Sequence, residues 1–244
     1  MAEQISRKKW ILITRAREQA EETARELRAR GFLTLVDPVF EVRRVPFAAP
    51  PPAEVQAVVL TSANAAYALG REFLDKPVFA VGEATARAAQ ARGAFHLRIS
   101  GGGWQELAER IVRELAPAGG RVLHFSGREV RGELASVLEE RGFRYERVVV
   151  YETAPREEIG SRTRHALSRR AIGAILLFSP RTAATFARLV RAAGLESRLE
   201  GIVCLCLSEA VAEEVDELPG LEVVVAPERD QRALIAQLEE LAAS

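Results

Sequence analysis

The sequence predicts an α/β protein made of two similar domains, each built on a parallel β-sheet. Short apolar runs alternate with patterns of helical spacing along the 244 residues, as they do in βαβ units. A second observation is an internal repeat. A third is that almost every predicted strand ends in a turn with hydroxylated or glycine residues. Together these features favour two domains of one design over a single large sheet.

The first elements set the pattern for the rest of the chain. The run WILIT at 10–14 predicts a buried strand, and the helix after it ends at Gly31. The inward face of that helix consists of Ala20, Ala24 and Leu27. The other predicted strands are one that begins near Phe32 and those at 57–60, 78–81, 95–99, 121–125, 148–151, 174–178, 202–207 and 221–225.

Helices are expected between these strands. Thr61–Asn64 supplies N-cap chemistry for one helix, and Gly82–Thr85 begins another. Gly101–Gly103 connects to an amphipathic helix, and a further helix ends at Gly142. The apolar stripe of the amphipathic helix is Trp104, Leu107, Ala108, Ile111, Val112 and Leu115. A helix also follows each of the last three strands.

The repeat can be counted directly. Residues 11–41 align without gaps on 122–152, with eleven identities in 31 positions. Residues 57–69 align in the same way on 174–186, which brings Ser62 into register with Ser179. The chain therefore has the order b-a-b′-a′, a duplicated α/β unit.

Composition limits the possible ligands and compartments. Lys+Arg and Asp+Glu both number 34, so no overall positive field is available to hold a nucleic acid or an anionic membrane. The two cysteines, Cys204 and Cys206, lie in an apolar run without metal-ligand spacing, and we expect them to be core thiols in a reducing compartment. No stretch approaches the ~20 apolar residues of a membrane span. We therefore expect a soluble, cytoplasmic protein.

The polar turns are the candidate binding sites. Ligands of parallel α/β sheets bind beyond the carboxyl ends of the strands, where backbone N–H groups and helix dipoles favour anions. Two such domains facing one another would form a cleft suited to a carboxylated or phosphorylated small molecule. For each turn taken alone, ordinary helix capping is the simpler explanation, and it is the set of six turns that suggests ligand binding. The turns are Thr14-Arg15, Thr61-Ser62, Gly82–Thr85, Ser126-Gly127, Ser179–Thr182 and Ser208-Glu209.

Common catalytic motifs are absent from the sequence. His96, His124 and His165 are scattered, and His124 lies inside a predicted strand, where packing is the simpler interpretation. No HExxH, CxxC, GxSxG or P-loop pattern occurs, which disfavours metal-dependent hydrolysis and Ser-His-Asp catalysis. An enzyme of this kind would act mainly by binding, folding and orienting a reactive substrate.

Tyr151 distinguishes the two copies of the repeat. It aligns with Phe40, so one copy has a hydroxyl group where the other has none. Two interpretations stay open at this point. The side chain is either an aromatic strand residue whose hydroxyl reaches solvent, or a hydrogen-bond donor or weak acid at the junction of the domains.

Taken together, these motifs resemble the uroporphyrinogen-III synthase family over essentially the whole chain. The sequence departs from the family near residues 207–212, where Ala210 and Val211 cannot supply the hydroxyl groups that members commonly have there. The motifs that carry the resemblance are Leu12–Arg15, Leu60–Ala65, Ala80–Ala86, Val122–Gly127, Val150–Thr153 and Phe178–Thr182.

The resemblance implies a bilobed fold of two flavodoxin-like domains joined by a two-stranded linker. The first domain would be discontinuous, comprising residues 1–36 and 156–244. The second would cover 52–148, and the connecting strands would be 37–51 and 149–155. The proline-rich stretch at 50–52 fits such a linker.

The reaction implied by the resemblance converts hydroxymethylbilane to uroporphyrinogen III, with loss of water and inversion of ring D, in the biosynthesis of haem and related tetrapyrroles. Such an enzyme is a lyase that needs no cofactor or metal. Tyr151 matches the family tyrosine that assists departure of the hydroxyl group. The implied substrate-binding residues are Arg15, Thr61, Ser62, Asn64, Gly82, Thr85, Ser126, Gly127, Arg128, Ser179, Arg181 and Thr182.

Partner expectations follow from the same assignment. The ligand would be a polycarboxylate tetrapyrrole, with no nucleic acid or membrane. The chain would be a monomer that contacts the preceding enzyme of the pathway transiently. The alternative is a two-domain binding protein with a carboxylate-binding cleft between its domains, against which the lack of an export signal counts.

Overall fold

The structure is a computed structural model that describes residue 5, residues 7–130 and residues 132–243. It divides into two compact units, Met1–Glu41 with Pro155–Ser244, and Val42–Ala154. The strands are β1 Trp10–Ile13, β2 Leu33–Val36, β3 Phe40–Arg44, β4 Val55–Leu60, β5 Val78–Val81, β6 Leu97–Ser100, β7 Arg121–Gly127, β8 Arg144–Pro155, β9 Ile172–Leu177, β10 Ile202–Cys206 and β11 Leu221–Val225. The α-helices are α1 Arg17–Ala29, α2 Gly82–Ala91, α3 Gly103–Glu114, α4 Leu134–Glu140, α5 Ser161–Ser168, α6 Pro180–Ala192, α7 Glu209–Ala212 and α8 Gln231–Ala243.

The first unit is built on a five-stranded sheet with the order β11-β10-β9-β1-β2, and every pair in it is parallel. Helices α1 and α8 cover one face, where Ala24 and Leu234 are fully buried. Helices α5, α6 and α7 cover the other face through residues such as Leu167 and Phe186. Cys204 and Cys206 are free and buried in β10, as the apolar run predicts.

The second unit is built on a six-stranded sheet with the order β3-β8-β7-β4-β5-β6. Strands β4 to β8 lie parallel to one another. Backbone bonds from Val45 to Val150 and from Arg156 to Val39 pair residue numbers that run in opposite directions, so β3 lies antiparallel to β8. Helices α3 and α4 cover one face of the sheet, and α2 with a 3₁₀ segment at Ala63–Ala68 covers the other.

Each of the five strands of the first sheet has a counterpart in the second, and β3 is the additional strand of the second sheet. The order β2-β1-β9-β10-β11 in the first unit corresponds to β8-β7-β4-β5-β6 in the second. The aligned repeats explain the match, because 11–41 contains most of β1, all of α1 and β2, while 122–152 contains most of β7, all of α4 and most of β8. The predicted α/β class with two mostly parallel sheets is thus confirmed. The flavodoxin-like character of each unit stays a prediction.

Three predicted elements need correction. The strand predicted at 95–99 begins at Leu97, because Phe95 is an exposed loop residue whose ring contacts His96. The helix predicted after Thr61–Asn64 is a 3₁₀ segment rather than an α-helix. The strand predicted at 148–151 is too short, because the structure extends it over Arg144–Pro155. The residues on either side of 148–151 are exposed or partly buried and form no apolar run, so hydrophobicity does not indicate them.

Within the described ranges, no helix combines the length and apolar character that crossing a membrane requires.

Candidate active site

The carboxyl ends of the parallel strands bring the predicted polar turns of the second unit to one edge of its sheet. Strands β4, β5 and β7 end at Leu60, Val81 and Gly127. Because these strands run in the same direction, the turns that follow them lie at the same edge, which we call the carboxyl edge of the second unit. This is the edge at which ligands of parallel sheets bind.

Tyr151 lies at this edge on β8, directly beside the end of β7. It pairs with Gly127, and its carbonyl accepts a 2.8 Å hydrogen bond from the Arg128 N–H. A β-carbon on Gly127 would stand 2.7 Å from two carbons of the Tyr151 ring and 2.9 Å from its hydroxyl oxygen. The absence of a side chain at residue 127 therefore allows the half-buried Tyr151 ring to occupy this position. The neighbouring Arg128 side chain pairs with Glu152 at 2.8 Å.

The turn after β7 is braced by Arg147. Its guanidinium donates from Nε to the Ser126 hydroxyl at 2.8 Å and from one terminal nitrogen to the carbonyls of Gly127 and Arg128 at 2.8 and 2.6 Å. Ser126 is buried, and its own hydroxyl donates to the Gly127 carbonyl at 3.1 Å. The backbone beside Tyr151 is therefore held by charge-assisted hydrogen bonds.

Thr61 follows β4 and is linked to the buried His124 and, through it, to the partly buried Tyr145. Its hydroxyl lies 2.9 Å from Nε2 of His124, whose Nδ1 lies 2.6 Å from the Tyr145 hydroxyl. Burial, and to a smaller extent the charge of Arg147, lowers the pKa of His124 to about 3. Burial raises the pKa of Tyr145 to about 12. Both side chains are therefore neutral near pH 7.

Ser62 and Asn64 belong to the same turn. The Ser62 hydroxyl accepts a 3.2 Å hydrogen bond from the Asn64 N–H, so Ser62 caps the 3₁₀ segment, and the Asn64 side chain is exposed. At the end of β5, Gly82 begins α2 with a φ of 75°, and a β-carbon there would meet open space. Thr85 lies buried on the inner side of α2.

The predicted binding residues of the first unit gather at the carboxyl edge of its own sheet. Arg15 follows β1, and its guanidinium carbon lies 4.1 Å from the centre of the Phe178 ring, which follows β9. Its terminal nitrogens donate to Gln231 at 2.8 Å and to Gln19 at 3.2 Å, and burial lowers its pKa. Buried Nε of Arg15 has no hydrogen-bond partner among the described residues.

Capping explains the geometry of the turn after β9. The Ser179 hydroxyl accepts a 3.2 Å bond from the Thr182 N–H and donates to the Thr182 hydroxyl at 2.9 Å, which makes Ser179 the N-cap of α6. Thr182 is buried. Arg181 is exposed, with its guanidinium carbon 4.6 Å from the centre of the Phe40 ring. The corresponding turn after β10, at Ser208, makes no side-chain cap.

The sheet edges thus sort the predicted residues into two groups. The carboxyl edge of the second unit assembles Thr61, Ser62, Asn64, Gly82, Ser126, Gly127, Arg128 and Tyr151, with Thr85 buried behind it. The edge of the first unit assembles Arg15, Ser179, Arg181 and Thr182. In the part of the chain that the structure describes, no group of three or more His, Cys, Asp or Glu side chains is arranged to hold a metal ion.

Sequence reasoning missed the groups behind Thr61 and Ser126. The packed position predicted for His124 is confirmed, but the sequence analysis does not identify its partners Thr61 and Tyr145. A signal was present, because strand periodicity places His124 and Ser126 on one face of β7. The same periodicity places Tyr145 and Arg147 on one face of β8, the strand that pairs with β7.

This chain matches a family model and is similar to solved structures. The model of the family described as uroporphyrinogen-III synthase HemD matches residues 21–236. A structure of uroporphyrinogen-III synthetase from Helicobacter pylori is similar, with 18% identity, a TM-score of 0.50 and coverage of 96% of this chain and 99% of that one. Uroporphyrinogen III synthase from Thermus thermophilus also matches, at 18% identity and a TM-score of 0.43, with 96% and 99% coverage. Comparison with curated proteins gives no significant match.

Proposed function

Because the chain belongs to the uroporphyrinogen-III synthase family, we propose that it closes the linear tetrapyrrole hydroxymethylbilane to uroporphyrinogen III, with loss of water and inversion of ring D. The family match over residues 21–236 carries this proposal, and it supports a function in tetrapyrrole biosynthesis. The chain is accordingly an enzyme, and the reaction makes it a lyase that acts without a cofactor.

The chemistry of the substrate explains what such an enzyme must do. Hydroxymethylbilane is reactive and closes unaided to the isomer in which ring D is not inverted. The enzyme must therefore hold the bilane in the conformation that leads to inversion of ring D. Only interactions that are stronger in the transition state for inversion than in the ground state determine which isomer forms. In the family route, the hydroxyl group leaves to give an azafulvene, ring D attacks through its substituted position to give a spiro intermediate, and fragmentation and reclosure follow.

Polar groups at the carboxyl edge of the second unit suit a polycarboxylate. Gly82 begins α2, whose first N–H groups have no intrahelical partner and favour anions. Thr61, Ser62 and Asn64 add hydroxyl and amide groups beside it. Since Lys+Arg and Asp+Glu balance at 34 each, such local donors, with Arg128 at the same edge, would hold the carboxylates instead of an overall field.

Tyr151 is the group we assign to the departing hydroxyl. A phenol can donate a hydrogen bond or a proton to a leaving oxygen, which then departs as water. The position of the ring against Gly127 and the bond from the Arg128 N–H to the Tyr151 carbonyl support this role, because they hold the side chain at the carboxyl edge.

The proposal also covers the compartment of the enzyme, its oligomeric state and the delivery of its substrate. We expect a cytoplasmic monomer, and the buried free thiols of Cys204 and Cys206 support a reducing compartment. The labile substrate would be received in a transient contact with the preceding enzyme of the pathway.

Analysis of the product isomer tests the proposal. Purified protein is mixed with freshly prepared hydroxymethylbilane, the products are oxidised to porphyrins, and the type I and type III isomers are separated by chromatography. We expect isomer III, formed faster than spontaneous closure. Isomer I alone, at the rate seen without protein, would overturn the assignment.

A further inference from the structure

Three side chains from adjacent strands form a hydrogen-bonded chain behind the carboxyl edge of the second unit. Thr61 follows β4, His124 lies on β7 and Tyr145 lies on β8. The Thr61 hydroxyl is 2.9 Å from Nε2 of His124, and the Tyr145 hydroxyl is 2.6 Å from Nδ1 of the same ring. We call this the Thr61–His124–Tyr145 chain. His124 is 3% exposed, whereas Thr61 is partly exposed. The buried imidazole therefore lies between two partly exposed side chains, Tyr145 on one side and Thr61, at the carboxyl edge, on the other.

The direction of the hydrogen bonds decides what Thr61 offers to a ligand. A neutral imidazole has one donor nitrogen and one acceptor nitrogen. If Nδ1 accepts from Tyr145, Nε2 carries the proton and donates to the Thr61 oxygen, and the Thr61 proton is left to point outward. If the order is reversed, Thr61 donates to Nε2 and offers only lone pairs to a ligand.

The surroundings of Tyr145 favour the first direction. The positive charge of Arg147 acts on both Tyr145 and His124. A nearby cation attracts the lone pairs of the phenol oxygen and repels its proton, so the proton turns toward Nδ1 of His124. In the reversed order, the Tyr145 proton would have to turn to solvent, because the described residues provide no second hydrogen-bond partner for the hydroxyl of this partly exposed side chain.

We infer that His124, oriented by Tyr145, is a positioning residue that holds the Thr61 hydroxyl as a hydrogen-bond donor to a carboxylate of the substrate. This inference rests on the proposed function for the identity of the substrate. The bilane offers both acceptors, in its carboxylates, and donors, in its pyrrole N–H groups. The fixed polarity of the Thr61–His124–Tyr145 chain selects the carboxylates and places the pyrrole N–H groups elsewhere.

Because His124 is neutral, the direction of the hydrogen bonds in the Thr61–His124–Tyr145 chain does not depend on pH near neutrality. Burial keeps its pKa near 3, so the ring gains no proton between pH 5 and 8 and the direction of the chain does not change there. A charged imidazolium would donate from both nitrogens and would break the bond in which the Tyr145 hydroxyl donates. The direction of the hydrogen bonds thus depends on a neutral His124 ring.

Nitrogen NMR of the protein tests the polarity without any substrate. In protein labelled with ¹⁵N-histidine at pH 7, the His124 signals are assigned by their loss in His124→Gln, which leaves His96 and His165. We expect Nε2 to resonate as a protonated nitrogen and Nδ1 as an unprotonated one. A protonated Nδ1 would overturn the inference. This readout does not depend on synthase activity, so it can fail or succeed separately from the proposed function.

Kinetics of paired variants test the positioning role. Thr61→Val and His124→Asn should each raise the KM for hydroxymethylbilane about tenfold, the value of one hydrogen bond to a charged group, with little change in kcat. The Asn amide lies near the Nδ1 position and cannot reach Thr61. The Gln amide extends to the Nε2 position, so His124→Gln should recover most of the lost affinity.

The double variant separates positioning from general destabilisation. If His124 acts through Thr61, adding His124→Asn to Thr61→Val raises KM no further. If the two effects multiply, His124 acts independently of Thr61 and the inference is wrong.

Discussion

The ring of Tyr151 lies so close to Gly127 that a β-carbon at residue 127 would stand 2.7 Å from two of its carbons. The two residues are paired across β7 and β8, at the end of a sheet where ligands of parallel α/β proteins bind. A single missing side chain on one strand thus determines where the phenol of the next strand can lie.

Gly127→Ala should displace the Tyr151 ring. Gly127 has no left-handed φ, so alanine is acceptable to its backbone and the effect comes from the collision alone. We expect about 1–3 kcal/mol of lost unfolding free energy, the usual cost of overpacking, together with a lower kcat. Gly101→Ala is the control, because its β-carbon would meet open space at the same sheet. If Gly127→Ala matches Gly101→Ala in kcat, the position of the ring is immaterial to turnover.

Arg147→Lys should loosen the turn beside Tyr151. Arg147 donates to the Ser126 hydroxyl and to the carbonyls of Gly127 and Arg128, and a lysine ammonium cannot reproduce this fork. We expect a loss of about 1–2 kcal/mol in the free energy of unfolding by urea. Arg144→Lys, an exposed position on the same strand, is the control. Equal stabilities for the two variants would mean that the three hydrogen bonds contribute nothing measurable.

His124 should make the protein less stable in mild acid. Its pKa is about 3 in the folded protein and near 6.5 in the unfolded chain, so below pH 6.5 the unfolded chain binds a proton that the folded protein does not. Unfolding free energy should therefore fall by about 1.4 kcal/mol for each pH unit below 6.5. This loss should continue until the pH reaches about 3.

The variant His124→Gln should lack this contribution. Urea unfolding at several pH values between 4.5 and 7 compares its slope with that of the wild type, and His165→Gln, at an exposed position, serves as control. A wild-type slope no steeper than that of His124→Gln would contradict the account.

Ser179→Ala distinguishes the two interpretations of its turn. As the N-cap of the 13-residue helix α6, the Ser179 hydroxyl should contribute about 1 kcal/mol to stability. Ser179→Thr should retain most of it, since threonine also caps. Thermal unfolding and the KM for hydroxymethylbilane are measured for both variants. A raised KM with unchanged stability would mean that the hydroxyl binds substrate and does not cap.

Periodicity and the repeat explain why so much of the fold is visible in the sequence. The strands predicted at 78–81 and 221–225 match β5 and β11 residue for residue, because each is a short apolar run with clear breaks on both sides. The shared strand order of the sheets follows from the duplication. In β8, Arg144–Pro155, only residues near the centre are buried, and the others are exposed or partly buried. Hydrophobicity alone therefore predicts only the centre of this strand. The role of 37–51 and 149–155 as connecting strands stays a prediction.

Much less of the candidate site could be predicted. Chain order places Thr61, Gly82 and Gly127 at strand ends, and parallel strands bring such ends together. The partners behind them depend on register, which the sequence does not display. His124 meets Tyr145 only because β7 and β8 pair with Val122 opposite Tyr145. At Phe95 the sequence predicts a strand that begins two residues too early. An exposed aromatic residue in a loop cannot be distinguished from the first residue of a strand by its pattern alone.

The most direct test of the account is single-turnover closure of hydroxymethylbilane by the wild type and by Tyr151→Phe, with both rate and product isomer measured. We predict isomer III from both proteins, with the rate of Tyr151→Phe reduced about 10²-fold, at the lower end of the range for proton transfer by a positioned side chain. Wild-type protein that yields isomer I at the spontaneous rate would contradict the synthase assignment. A Tyr151→Phe enzyme with undiminished turnover would contradict the role of its hydroxyl group.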